Sequence, residues 1–196
     1  GELLGDIVSV KAADTFELSC SGEYAHVLPK DTSKNLVALA HKLFIEKMAF
    51  MGNPILNVSM HLEKRLPVGS GLGSSSSSSV AALYALNLFY GDTLTIDDLL
   101  LLAGQLEGEV SGSIHYDNVA PCLLGGLQLM TDVVQQPCVS VPFPSSWQLV
   151  VSYPGINVPT KVARELLPKN LDLARSIKFA QNLSVFIFSP LRFPES

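Results

Sequence analysis

The chain has 196 residues, 47% of them hydrophobic and 16% charged, with a formal net charge of −5. That is enough chain for a sizeable core in one large or two small domains, and it is too apolar for a disordered protein. The acidic balance, with no Lys/Arg cluster, argues against general nucleic-acid binding but leaves room for a small anionic ligand.

Three cysteines, Cys20, Cys122 and Cys138, are an odd count without metal-ligand spacing, which suits reduced thiols in a reducing compartment. No apolar run reaches the roughly 18 residues of a membrane span, and no signal peptide opens the sequence. The expectation is a cytoplasmic protein with neither nucleic acid nor membrane as partner.

In chain order, Asp6 to Lys11 predicts a strand, with Thr15 to Ser19 as its hairpin partner across Ala12, Ala13 and Asp14. From Thr32 or Ser33 an amphipathic helix is expected to about Met48, with Leu36, Ala40, Leu43, Phe44 and Met48 on one stripe. Asn35, just inside it, suits a capping group. Next, Leu56, Val58, Met60 and Leu62 alternate with Asn57, Ser59, His61 and Glu63, the period of a half-buried strand.

The run from Leu66 to Ser75 (LPVGSGLGSS) then places Gly69, Gly71 and Gly73 within five residues. Each glycine would cost about 0.8–1.0 kcal/mol in a helix interior relative to alanine, so this is a loop. Downstream, Val80, Leu83, Leu86, Asn87 and Tyr90 lie at helical spacing, and Gly91 supplies a C-terminal cap. Strand, glycine-rich loop and helix N-terminus together form a place for phosphate, because bare backbone approaches closely and the first-turn N–H groups carry partial positive charge. Ser74 and Ser75 add hydroxyls that reach a phosphate or its Mg²⁺. The bland alternative, a flexible Gly/Ser linker, sits badly before a strongly apolar helix. The loop is neither a P-loop, for want of Gly-Lys-Ser/Thr, nor a dinucleotide loop, whose spacing is G-x-G-x-x-G.

Thr95 and Asp98 predict a capping box opening a helix through Leu99–Leu102, Leu106 and Glu107. Four consecutive leucines do not fit one stripe, so that helix should be buried on more than one side. Glu109 reads as a solvated helix end. His115, Tyr116, Asp117 and Asn118 sit in a loop ahead of Pro121, where His, Asp and Asn can meet the polar ends of an amino acid; a lone His is otherwise most often structural. Gly125 to Met130 reads as a strand, Asp132 to Ser146 as a loop, Trp147 to Ser152 as a strand, and Thr160 to Leu167 as a helix stopped by Pro168. Arg164 on that helix has the ordinary reading of a surface arginine. A last helix runs from about Leu171 to Phe188, with Ile177, Ala180, Leu183 and Ile187 in step. Hairpins packed by helices on one face give an α+β two-layer sandwich.

Pro67-Val68-Gly69-Ser70-Gly71-Leu72-Gly73-Ser74-Ser75 closely resembles the P-x-G-x-G-L-G-S-S motif of the GHMP small-molecule kinases. Within that group, residues 112–121 (GSIHYDNVAP), Leu123 to Gly126, Tyr153-Pro154-Gly155 and Thr160 to Pro168 look like homoserine kinase, a likeness covering the chain to about Asp172. The resemblance implies ATP-dependent phosphorylation of the L-homoserine side-chain hydroxyl, with Mg²⁺. It implies that Pro67, Gly69, Ser70, Gly71, Leu72, Gly73, Ser74 and Ser75 cradle the nucleotide, with Asn35 near the adenine, and that Ser74 and Glu107 hold the Mg²⁺. One or two carboxylates with phosphate oxygens and water are what Mg²⁺ asks for. Asp117 and Asn118 would meet the amino and hydroxyl groups of homoserine, with His115 positioning. Arg164 would take the carboxylate, a bidentate task suited to guanidinium. Asp117 as general base stays open beside a purely positioning role, since phosphoryl transfer asks mainly for positioning and charge neutralisation.

The same resemblance implies an ATP-binding N-terminal domain over residues 1–153 and the start of a second α+β domain over 154–196. An earlier strand and substrate motif, and a later G-x-S-G-S-G-P motif, are absent from this sequence, so the 196-residue chain alone is expected to be weakly active or inactive. Beside homoserine kinase stand two other readings: another kinase of the group, acting on mevalonate or a sugar, and a non-catalytic nucleotide-binding remnant. The partner expected is a small molecule, with a homodimer left open.

Overall fold

A computed structural model describes residues 5–144, 146–156, 166–168 and 170–192, which divide into two compact units, 1–124 and 125–196. The first unit is built on a three-stranded sheet of β1 (Ile7–Ala12), β2 (Glu17–Ser21) and β3 (Val58–Glu63). Its order is β1-β3-β2, with β3 antiparallel to β1 and parallel to β2. The two early segments are therefore strands, as expected, but not a hairpin. β3 lies between them because its Val58, Met60 and Leu62 are the fully buried row, and a central strand pairs on both edges. The short link between β1 and β2 is tied to β3 instead, Ala13 N–H donating to Asn57 O (3.1 Å) and Asn57 Nδ2 to Asp14 O (2.7 Å).

One face of the sheet carries the helices. Helix α1 (Leu36–Phe50) starts three or four residues later than the amphipathic pattern suggested, because residues 32–34 form a 3₁₀ turn. It buries Val37, Ala40, Leu43, Phe44 and Met48, with Val37 taking the place expected of Leu36. Helix α2 (Ser74–Phe89) takes in the whole serine run, and Gly91 (φ +75°) turns the chain out of it. Helix α3 (Ile96–Ser111) opens on the expected capping box, with both the Thr95 and Asp98 reciprocal bonds made. Leu99, Leu100 and Leu102 are buried and Leu101 is exposed, so α3 is indeed covered on more than one side. The opposite face of the sheet is polar, with Ser19 and Ser21 bracketing the His61 ring at 2.8 Å each. This is the two-layer α+β arrangement that the sequence led us to expect.

Serine is an unusual choice inside α2. Ser78 and Ser79 find partners, but Ser76 Oγ is fully buried with no partner among the described residues. A buried hydroxyl without a hydrogen bond costs roughly 1–3 kcal/mol, and serine is a few tenths worse than alanine in a helix. Ser76→Ala is therefore expected to stabilise the protein by about 1 kcal/mol, seen as a raised denaturation midpoint. An unchanged midpoint would mean that the hydroxyl is satisfied in solution.

Residues 112–118 form the expected loop, and after Asn118 the chain enters a short helix with no counterpart among the expected elements, α4 (Val119–Leu124). Pro121 lies in its first turn, where a missing N–H does no harm. In the second unit β4 (Leu127–Met130) is the expected strand. It pairs antiparallel with β5 (Cys138–Val141), inside the stretch that its prolines made read as a loop. Trp147 to Ser152, by contrast, forms no strand. Val150 is 94% exposed, and β-propensity alone makes no strand without a partner to complete the ladder. The last helix, α5 (Leu173–Arg192), is present, with Ile177, Ala180 and Leu183 exposed. The helix expected from Thr160, together with Arg164, falls largely outside the described residues.

Candidate functional site

The glycine loop joins the end of β3 to the start of α2. Gly69, Gly71 and Gly73 all have positive φ (+73°, +78° and +67°). Gly73 is the N-cap of α2 in the left-handed region, where a side chain would be strained, so the first-turn amides of Ser74, Ser75 and Ser76 open onto bare backbone. Ser70 braces the loop from within, its hydroxyl donating to Pro67 O (2.8 Å) and accepting from Leu72 N–H (3.3 Å). Pro67 is buried, and Gly71 is exposed at the tip.

Beside the loop lies a cleft of about 780 Å³. Gly71, Leu72 and Gly73 form one wall, Ser77, Val80, Ala81 and Tyr84 of α2 a second, and Asn118, Pro121 and Cys122 a third. A Cβ built on Gly73 would come to 3.8 Å from Asn118 Oδ1 and 3.9 Å from Cys122 Sγ. The fold thus brings the loop and the end of the 115–118 tetrapeptide to one place, although 45 residues separate Gly73 from Asn118 in sequence (118 − 73). Burial pushes the Cys122 thiol above its ordinary pKa, the charge of Asp6 adding to the effect.

The tetrapeptide is seated by two glycines on one face of α3. The Tyr116 ring lies on Gly104, where a Cβ would stand 2.2 Å from Cε1, and Ile114 lies on Gly108 in the same way. Burial there raises the Tyr116 hydroxyl pKa. His115 Nε2 is 2.8 Å from Ser113 Oγ, and Asp117 and Asn118 are exposed.

The other candidates are placed less simply. Asn35 acts as the cap of α1, its Oδ1 accepting from Val37 N–H at 2.9 Å while Nδ2 donates to Cys20 Sγ at 3.6 Å. Ser74 is turned inward, and its hydroxyl donates to Leu66 O at 3.0 Å. Ser75 is the exposed hydroxyl of the first turn. Glu107 is half-buried on α3 and is not among the residues lining the cleft.

Sequence reasoning missed the most buried charges in the region. Lys64 is 1% exposed; its ammonium donates to Asp6 Oδ2, to Ser74 O (2.9 Å) and to Ser78 Oγ (3.2 Å). Burial pulls the Lys64 pKa down while Asp6 opposes the shift. Asp6 Oδ1 accepts from the amides of Arg65 (2.9 Å) and Leu66 (3.0 Å), and Oδ2 accepts from Ser78 Oγ (2.6 Å). The signal was available. Lys64 continues the inward phase of Val58, Met60 and Leu62, and Asp6 continues that of Val8 and Val10.

The bare-backbone cradle and the open first-turn amides fit a polyphosphate, and the exposed Ser75 and Asn118 add polar groups at its rim. No group of three or more His, Cys, Asp or Glu side chains able to hold a metal occurs among the described residues, so a Mg²⁺ here would lean on phosphate oxygens and water. No helix among those residues is long and apolar enough to cross a membrane.

Residues 35–126 match the family described as the GHMP kinases N terminal domain. A crystal structure of homoserine kinase from Cytophaga hutchinsonii ATCC 33406 is 31% identical with a TM-score of 0.81, over 95% of this chain and 58% of that one. Two further structures share the fold: phosphomevalonate kinase of Streptococcus pneumoniae (17% identity, TM-score 0.51, 62% of this chain and 36% of that one), and a 4-(cytidine 5'-diphospho)-2C-methyl-D-erythritol kinase (24%, 0.53, 97% and 59%). The chain thus spans less than two thirds of the length of each. On the matched segment and the glycine loop within it, residues 35–126 form a GHMP kinase N-terminal domain.

Proposed function

We propose that the protein to which this chain belongs transfers a phosphoryl group from ATP to the side-chain hydroxyl of L-homoserine. The observation that carries the reading is the meeting of the glycine loop and Asn118 at one cleft. Support for this acceptor over others comes from the HYDN tetrapeptide and from the 31% identity to the Cytophaga homoserine kinase.

In this reading the amides from Gly69 to Ser75 hold the phosphates. Pro67 and the Ser70 brace keep the loop in shape, Leu72 contributes cleft wall, and Asn35 sits towards the adenine while capping α1. Asn118 orients the acceptor hydroxyl, and Asp117 and His115 hold the amino end. Ser74, Ser75 and Glu107 are the groups nearest in chemistry to a Mg²⁺ site; the metal, when bound, supplies charge neutralisation on the transferring phosphoryl. Arg164 takes the carboxylate. The division at residue 153, solution in the cytoplasm and a small-molecule partner belong to the same proposal.

The test is ADP release by the complete gene product offered homoserine, mevalonate or galactose. Homoserine-dependent turnover alone supports the reading, mevalonate or galactose turnover points to a different kinase of the family, and ATP binding without turnover points to a remnant. Arg164→Lys should raise KM for homoserine about tenfold, roughly 1.4 kcal/mol, with kcat little changed. An unaltered KM removes Arg164 from the site.

A further inference from the structure

The two ends of the glycine loop hang on one buried ion pair. At the loop's entrance, Asp6 Oδ1 accepts from both Arg65 and Leu66 amides; at its exit, Lys64 Nζ donates to Ser74 O, and the Ser74 hydroxyl closes the ring onto Leu66 O. Ser78, one turn into α2, donates to Asp6 Oδ2 and accepts from Lys64. Asp6 N–H donates to Ser77 Oγ at 2.9 Å, and both Asp6 and Ser77 line the cleft. Lys64 and Asp6 are almost inaccessible to water, so the pair is not a surface ornament.

We infer that Lys64, through Asp6, is a positioning residue for the nucleotide site: the pair sets the separation and direction of the two loop ends, and so the aim of the amides between Gly69 and Ser75. An exposed pair does not do this, because its side chains wander. A buried pair with every lone pair and proton spoken for holds one geometry. Lys64 also neutralises the buried carboxylate of Asp6, a residue that lines the cleft and whose charge would otherwise oppose an anion there. The inference rests on the functional reading for its ligand, but not for its geometry.

Lys64→Met alone would leave Asp6 charged and buried without a partner, and such a variant can fail to fold. The decisive variant is Asp6→Asn/Lys64→Met, which removes both charges and keeps an oxygen for the Arg65 and Leu66 amides. Two measurements on the complete gene product settle it. Amide hydrogen exchange in the ligand-free protein should speed up tenfold or more at Gly69–Ser75 while α1 and β3 exchange as in the parent. Calorimetry with the magnesium complex of AMPPNP should show Kd raised tenfold or more. A folded double variant whose loop amides exchange at the parental rate overturns the positioning role, as does one that binds AMPPNP with parental affinity. A parent that binds no AMPPNP overturns the kinase reading instead, and the exchange rates still decide whether the pair holds the loop.

Discussion

Alanine at position 22 is expected to destabilise the protein by about 3 kcal/mol, measured as a lowered midpoint in chemical denaturation. Gly22 turns the chain out of β2 with φ +96°, a region costing an L-residue roughly 1–2 kcal/mol. Its missing Cβ would also stand 2.5 Å from Lys64 O and 2.8 Å from Lys64 N. Those are backbone atoms with duties of their own. Lys64 N–H donates to Ser21 O at 2.7 Å, and Lys64 O accepts from Tyr24 N–H at 3.2 Å. They cannot give way without opening the clasp between β2 and β3, so an overpacking cost of about 1–3 kcal/mol adds to the strain. Gly52→Ala is the control: its φ is +76° with nothing within 4 Å, so it should lose only about 1 kcal/mol. Equal losses at the two sites would remove the weight given to the close approach at Lys64.

Gly73→Val is expected to weaken binding of the magnesium complex of AMPPNP at least a hundredfold, about 2.7 kcal/mol, in calorimetry on the complete gene product. The N-cap of α2 has φ +67°, where a β-branched residue is a genuine outlier. A side chain there would also grow into the gap towards Asn118 Oδ1 and Cys122 Sγ, the space in which loop and tetrapeptide meet. Gly91→Ala supplies the comparison, with similar φ (+75°) and open surroundings at the far end of the same helix. It should bind as the parent does. Parental affinity in Gly73→Val would mean that phosphate lies elsewhere, and the reading of the loop would fall.

Much of this molecule is written locally. The α2 start, the Thr95–Asp98 box and the β3 alternation depend on contacts a few residues apart, so spacing and residue type were enough to place them. The glycine loop was legible for the same reason: three glycines with positive φ are a backbone requirement stated in the sequence itself. The α4 helix was missed because Pro121 reads as a breaker, although in a first turn it has no hydrogen bond to break. β5 was missed because four residues between Pro137 and Pro142 carry too short a pattern to be read without β4 beside them.

What the sequence by itself determined is the chemistry on offer: a phosphate-fitting loop ahead of an apolar helix, an HYDN tetrapeptide, and helices layered on a sheet. Only the tertiary structure decided that β3 separates β1 from β2, that Tyr116 and Ile114 rest on the bare faces of Gly104 and Gly108, and that Asn118 comes to face Gly73. It alone showed Ser74 turned inward and Lys64 buried against Asp6, 58 residues away. The physical reason is the range of the interactions. Dihedral preferences and periodicity are set by neighbours along the chain, whereas strand order, ion pairing and packing onto a missing side chain depend on partners that become neighbours only when the core closes.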